Sequence, residues 1–293
     1  MDHYALNLFL HLSESLHFGR TSRACNISPS ALSRQIQRME DLVEKRLFER
    51  DNRKVILTPA GALFRDYARG VMEKWEELQE ALSAGEEELT GEISIYCSVT
   101  ASLSILPDML SSFKAAYPKV HIRLQTGDAG MAVRQVAQGD VDFAVAALPD
   151  RLPAAMAFKV LTRVALEFIA PEMPWEFDTE NVKEIPWSQI PMILSQRGLA
   201  RKRVDAWLKQ QKITPNIYAL VSGNEAILSM VALGCGIGIV PGLVVENSPV
   251  RDRIRRLPVK SGPAPYPVGI CAKKRRLSSR LIQAFWDIAT SVE

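Results

Sequence analysis

Between Ser28 and Arg38 the polar side chains have the types and spacing needed to read a nucleic-acid groove. Leu32, Ile36 and Met39 recur at i, i+4 and i+7, which gives a helix one inward stripe and leaves Ser30, Ser33, Arg34 and Gln37 on the outward face, with Arg38 beside them. Arg34 can fork onto guanine O6 and N7, and Gln37 can pair with adenine N6 and N7. Ser28 is a good N-cap and Pro29 fits the first helical position, where its missing N–H costs nothing. Ser28, Ser30, Ser33 and the free amides of the helix start can hold phosphate oxygens. An ordinary amphipathic surface helix would carry the same residues, so the segment alone does not decide.

Its surroundings do more. A short helix over about residues 20–25 and a turn at Asn26-Ile27-Ser28 precede it, which makes a helix-turn-helix. After it, Leu47-Phe48 anchors a core, and Arg50-Asp51-Asn52-Arg53-Lys54 forms a polar turn into the strand Val55-Ile56-Leu57. That is a basic hairpin, or wing, whose Arg50 and Arg53 reach backbone phosphate. From Arg20 to Lys54 nine basic residues face five acidic ones, a local excess of four that the whole-chain charge of +3 conceals. Ahead of all this, Leu6, Phe9, Leu10 and Leu16 mark a first helix that Phe18 closes before Gly19.

Thr58-Pro59 repeats the cap-plus-proline signal and opens a long helix. Its Phe64, Ala68, Val71, Trp75, Leu78 and Leu82 alternate spacings of four and three up to Gly85, a narrow seam suited to a partner helix, so these residues form the expected dimerisation surface. Packing against the C-terminal part of the same chain would give the same stripe. From Gly91 onward strands and helices alternate, as in an α/β domain: strands at 92–99, 120–126, 141–147, 165–170, 192–194, 218–221 and 237–240, helices at 103–116, 131–138, 198–211, 225–233 and 278–292. Arg251–Arg256 and Pro263-Ala264-Pro265 read as connections.

With 293 residues and 47% apolar content, the chain can fill more than one core. Its four cysteines are scattered without C-x-x-C spacing, which fits a reducing cytoplasm and offers no metal site; no cofactor is implied. The start, with Asp2 and His3, does not read as a signal peptide. Ala226–Val245 is uncharged and long enough for a membrane span, yet Gly234, Gly236, Gly238, Pro241 and Gly242 interrupt it, so it reads as a buried helix and strand.

The run Phe18-Gly19-Arg20 through Ala24, then Ile27–Ile36, Leu47-Phe48-Glu49-Arg50 and Leu57-Thr58-Pro59-Ala60-Gly61, resembles the signature of LysR-type transcription regulators. The later Val231–Pro241, rich in glycine, is similar to an element of the same family. The resemblance implies a winged helix-turn-helix over 1–58, a linker helix over 59–88, and an effector domain over 91–293 akin to periplasmic solute-binding proteins. Lobe I would span about 91–161 and 267–293, and lobe II 162–266. It further implies double-stranded promoter DNA as partner, a homo-oligomer (a dimer of dimers), contact with RNA polymerase, activation or repression as output, and no catalysis. One departure stands out: the family has Leu-Gly where this chain has Val43-Glu44. A glycine would take the left-handed cap, and Glu44 would cost about 1 kcal/mol there unless the helix runs on by a turn.

For the effector the sequence offers three places where a strand end leads into a helix start, at Ser98–Ser102, Ser195-Gln196-Arg197 and Ser222-Gly223-Asn224. Free amides and hydroxyls there favour a small carboxylate. The expected contacts are Ser98, Thr100, Ala101, Ser102, Gln196 and Asn224, lined by Gly127, Ala146 and Phe168, with simple helix capping as the competing explanation of each. Stretches such as Ile95–Ala101 and Glu246-Asn247-Ser248-Pro249 are similar to a family member controlling branched-chain amino acid synthesis. That likeness implies acetolactate or acetohydroxybutyrate as effector.

Other classes fare worse. His3, His11 and His17 crowd the helix-turn-helix end and leave His121 alone in the larger part, so no general-base set emerges. Gly234, Gly236 and Gly238 lack the third element of a dinucleotide fingerprint. A redox sensor would need a reactive thiol, and Cys235 sits in an apolar stretch. A secreted solute binder would not need the N-terminal module. Lys273–Arg276 reads as a solvated helix approach rather than a nucleic-acid contact.

Overall fold

The computed structural model describes residues 2–51, 54–82, 88–174, 177 and 185–291. The chain divides into two compact units, Met1–Glu86 and Glu87–Glu293.

The first unit is built from α1 (His3–Ser15), α2 (Phe18–Ala24), α3 (Pro29–Val43), the hairpin strands β1 (Phe48–Asp51) and β2 (Lys54–Leu57), and α4 (Pro59–Leu82). Asp2 starts α1 by accepting the Ala5 amide at 2.8 Å. Leu16, expected on the apolar stripe, instead caps α1 in the left-handed conformation (φ 48°) and is exposed. Phe18 therefore opens α2 rather than closing α1, with His17 Nδ1 accepting the Arg20 amide.

One core unites the six elements. Leu6, Phe9 and Leu12 meet Leu32, Ile36 and Met39, and Phe9 sits between Phe48 (ring centroids 5.3 Å apart) and Phe64 (4.7 Å, edge-on). Thr58 ties the hairpin to α4: its Oγ1 accepts the Gly61 amide at 2.9 Å and donates to the Arg46 carbonyl at 2.8 Å. Gly61 is required at this crossing, because a Cβ there would lie 2.1 Å from the Leu47 carbonyl oxygen.

The second unit holds two five-stranded sheets, one per lobe. The first lobe comprises β3 (Gly91–Cys97), α5 (Val99–Ser104), α6 (Leu106–Ala116), β4 (Val120–Thr126), α7 (Ala132–Gln138), β5 (Phe143–Ala147) and β6 (Met156–Val164). The second comprises β7 (Leu166–Pro171), β8 (Pro191–Ser195), α8 (Leu199–Gln210), β9 (Asn216–Val221), α9 (Asn224–Ala232), β10 (Ile237–Pro241), α10 (Gly242–Glu246) and β11 (Ile254–Leu257). The chain then returns to the first lobe through β12 (Tyr266–Lys273) and ends in α11 (Arg280–Ser291). Strand order is β4-β3-β5-β12-β6 in the first sheet and β11-β7-β10-β8-β9 in the second. The strands joined by helices run parallel, and the crossing strand β12 runs antiparallel to both β5 and β6.

Three of these strands differ from the sequence expectation. β6 was not foreseen, the Arg251–Arg256 strip contributes Ile254 and Leu257 inward as β11, and the residues after Pro265 form β12. The expected helix at 103–116 is two helices, α5 and α6, broken at Ile105. The glycine-rich segment is a packing device: a Cβ on Gly238 would lie 2.5 Å from the Ile227 side chain, so glycine lets α9 lie close on β10. Among the described residues no helix is long and apolar enough to cross a membrane.

Candidate DNA interface and ligand cleft

The recognition segment is α3. Ser28 Oγ accepts the Ala31 amide at 3.1 Å, and Leu32, Ile36 and Met39 are buried. Arg34, Gln37 and Arg38 are exposed, with Ser30 exposed and Ser33 half-buried one turn earlier. Two of these groups are already engaged: Gln37 Nε2 donates to Asp41 Oδ1 at 2.8 Å, and Ser30 Oγ lies 3.0 Å from Ser28 Oγ. Exposed partners of this kind exchange readily for base or phosphate atoms. Glu44 takes the left-handed conformation itself (φ 52°), and the Lys45 amide closes onto the Glu40 carbonyl at 3.2 Å. The helix thus ends where a glycine would have ended it.

Arg50 does not stand at a wing tip. Its guanidinium donates to Ser33 Oγ at 3.1 Å, lies 3.6 Å from Glu40 Oε2 and stacks 4.6 Å over the Phe18 ring. Rather than reaching freely for phosphate, it braces the hairpin against α2 and α3. Arg53 lies outside the described residues. The sequence reading missed Glu40, whose buried carboxylate accepts the Leu47 amide at 2.8 Å and the Phe48 amide at 3.0 Å. Its signal was present: Glu40 continues the i, i+4 series from Leu32 and Ile36, which places an acid on the inward stripe.

The expected dimerisation seam divides along α4. Phe64 and Ala68 are buried in the module's own core and Val71 is half-buried against it, so Phe64 and Val71 are core positions here. Beyond them Trp75, Leu78 and Leu82 are 40%, 48% and 78% exposed, with the His3 ring tilted against the Trp75 ring, centroids 4.4 Å apart.

In the second unit a cleft of ≈ 480 Å³, including its open mouth, lies between the two sheets. Ser98, Thr100, Ala101, Ser104 and Ile105 line it from α5 and its two caps, Ala146 and Val145 from β5, and Asn224, Pro241 and Leu243 from the second lobe. Val164 and Tyr266, at the ends of the two strands that cross between lobes, complete it. Burial pushes the Tyr266 phenol up to about 12. Thr100 Oγ1 donates to Glu225 Oε1 at 2.7 Å, a hydrogen bond from α5 of one lobe to α9 of the other. At the rim Arg197 Nε pairs with Asp128 Oδ2 at 2.5 Å.

Of the expected contacts, the cleft gathers Ser98, Thr100, Ala101, Ala146 and Asn224 and omits four. Ser102 turns back to donate to the Val99 carbonyl at 2.7 Å. Gln196 is exposed and accepts from Ser222 Oγ at 3.1 Å. Gly127 leaves room for the Tyr96 hydroxyl, 2.3 Å from where its Cβ would stand. Phe168 points into the second lobe's core, 4.9 Å from the Trp207 ring and 5.4 Å from the Trp187 ring.

The other clusters are structural. His17 caps α2 and His3 packs on Trp75. Arg276 of the basic strip pairs with Asp142 Oδ1 at 2.8 Å, and the same carboxylate accepts from Ser94. The four cysteines are unpaired, with Cys97 and Cys271 buried. Burial raises the Cys97 thiol to about 11 and the Cys271 thiol to about 12.

A winged helix-turn-helix followed by a two-lobed α/β domain with a central cleft defines a DNA-binding transcription regulator. Residues 4–62 match the bacterial regulatory helix-turn-helix proteins of the lysR family, and residues 86–292 match the LysR substrate binding domain. The chain belongs to the LysR family. It is 45% identical to the HTH-type transcriptional activator IlvY of Salmonella typhimurium over 98% of this chain and 99% of that one. A full-length OxyR variant from Pseudomonas aeruginosa shares the fold with a TM-score of 0.71 at 23% identity, over 99% and 94% of the two chains. So does full-length CbnR in complex with its target DNA, with a TM-score of 0.65 at 19% identity over 99% of each chain.

Proposed function

We propose that this regulator activates transcription from promoter DNA, and that its cleft binds a small hydroxy-keto carboxylate, acetolactate or acetohydroxybutyrate, to control branched-chain amino acid synthesis. The observation that carries the reading is the composition of the cleft wall. The hydroxyls of Ser98, Thr100 and Ser104, the Tyr266 phenol and the Asn224 amide suit a carboxylate, a hydroxyl and a ketone. Ala101, Ile105, Val164 and Leu243 suit the short alkyl groups of such an acid. The 45% likeness to IlvY over the full length supports the same assignment.

On the DNA side, Arg34 and Gln37 read bases while Ser28, Ser30, Ser33 and Arg38 hold phosphate. Trp75, Leu78 and Leu82 join two copies through α4, and two recognition helices then meet half-sites about one helical turn, 34–36 Å, apart. A ligand that prefers one arrangement of the lobes shifts the oligomer's population and with it the hold on DNA or on RNA polymerase.

Fluorescence anisotropy with DNA from upstream of the chain's own gene tests this, at several salt concentrations and with acetolactate present or absent. Selective binding with a steep salt slope, altered by acetolactate, is the expected result. Selective binding indifferent to acetolactate keeps the regulator and removes the effector. Binding no tighter than to random DNA across neighbouring promoters removes the DNA reading.

A further inference from the structure

The cleft has an acid bonded to its wall where an anion-binding site would be expected to carry a base. Among the described residues that line it, none is Lys, Arg or His. The carboxylate of Glu225, in the first turn of α9 and next in sequence to the lining residue Asn224, instead bonds to the lining residue Thr100. Glu225 Oε1 takes the Thr100 hydroxyl proton at 2.7 Å, and Oε2 folds back to 3.4 Å from the position a Cβ would occupy on Gly223, the residue that starts the helix. Glu225 is thus a half-buried anion fixed over the opening of α9. Arg197, outside the lining, pairs through Nε with Asp128.

We infer that Glu225 determines which acids the cleft accepts: it admits a ligand with one carboxylate and excludes a second. The inference rests on the effector reading above and narrows it to a charge class. A ligand carboxylate can take the hydroxyl of Ser98 and leave Thr100 to Glu225, while the ligand's own hydroxyl donates to Glu225. A second carboxylate brings no donor and meets the Glu225 charge at short range, in a cleft with low-dielectric walls. Glutamine at 225 keeps the shape and still accepts from Thr100, yet removes that repulsion.

Acetolactate and citramalate form a matched pair for the test. Both are 2-hydroxy-2-methyl acids, and citramalate replaces the acetyl group with a carboxymethyl. Calorimetric titration of the full-length chain is expected to give the wild type a preference for acetolactate of about tenfold or more. Glu225→Gln is expected to shrink that ratio by about tenfold, with citramalate gaining more than acetolactate. An unchanged ratio in Glu225→Gln, with both ligands still bound, overturns the role of Glu225 and leaves the effector cleft standing. Wild-type binding of citramalate as tight as that of acetolactate overturns it without any variant. Failure of both acids to bind the wild type removes the effector reading, and this inference with it.

Discussion

At the residue scale, two glutamates hold the recognition helix at its C-terminal end. Glu40 turns inward and satisfies two amides at the base of the wing, where an unpaired amide would cost about 1–3 kcal/mol. Glu44 supplies the left-handed cap in place of glycine. A Cβ in that region costs about 1 kcal/mol, so Glu44→Gly is expected to stabilise the first unit by that amount without moving α3. Calorimetry of the full chain should show that unit's melting transition rise by about 4–8 °C, with affinity for operator DNA unchanged. A fall in the transition would mean that Glu44 makes contacts that outweigh its backbone strain. The sequence showed the departure from the pattern but not its outcome. A helix end can keep its geometry and bear strain, or run on by a turn, and only the packing of Leu47 and Phe48 beyond it decides.

At the scale of elements, most helices and parallel strands were legible because each carries its own period. The missing pieces are β6, β11 and β12, and the last two fail for a common reason. β12 begins Tyr266-Pro267 and holds a bulge between Val268 and Gly269, while β11 alternates two arginines with Ile254 and Leu257. Proline, glycine and charge read as connection, although an antiparallel register tolerates them. Missing the crossing strands also hid Val164 and Tyr266, the cleft residues that those strands deliver. Phe168 went the other way: β7 is buried on both faces, so alternation could not say which face meets the cleft. α4 illustrates a third ambiguity, since a single a/d stripe serves two neighbours. Its first half is core, so Phe64→Ala should destabilise the module by about 3–5 kcal/mol. Its second half is exposed, so Leu78→Asp should leave the fold intact and shift the chain toward monomer in sedimentation velocity. Unfolding by Leu78→Asp, or an oligomer that survives it, would place the interface elsewhere.

At the scale of the whole molecule, the question is which signal the second unit converts into a change at DNA. For the two cysteines of its first sheet the architecture opposes oxidation. Cys97 ends β3 and Cys271 lies within β12, both buried in the first sheet, and only thiolates react readily with peroxide. With the thiols raised to about 11 and about 12, the thiolate fraction near neutral pH is roughly 10⁻⁴ or lower. The cleft, by contrast, lies where two strands cross between lobes, and its walls already communicate through Thr100 and Glu225. The raised thiols also set a pH dependence with a definite sign. Below the ordinary value of 9.0 they are protonated in the folded and unfolded chain alike, and their contribution to stability is intact. As pH climbs from there through about 11 to about 12, the unfolded chain releases these protons first and stability falls. Urea titrations at rising pH should therefore lose midpoint more steeply for the wild type than for Cys97→Ala, and peroxide near neutral pH should leave Cys97 and Cys271 unmodified by mass spectrometry until urea unfolds the chain. Modification of either residue in the native state would show that the sheet opens on its own, and would make oxidation a competing input to the one that the cleft provides.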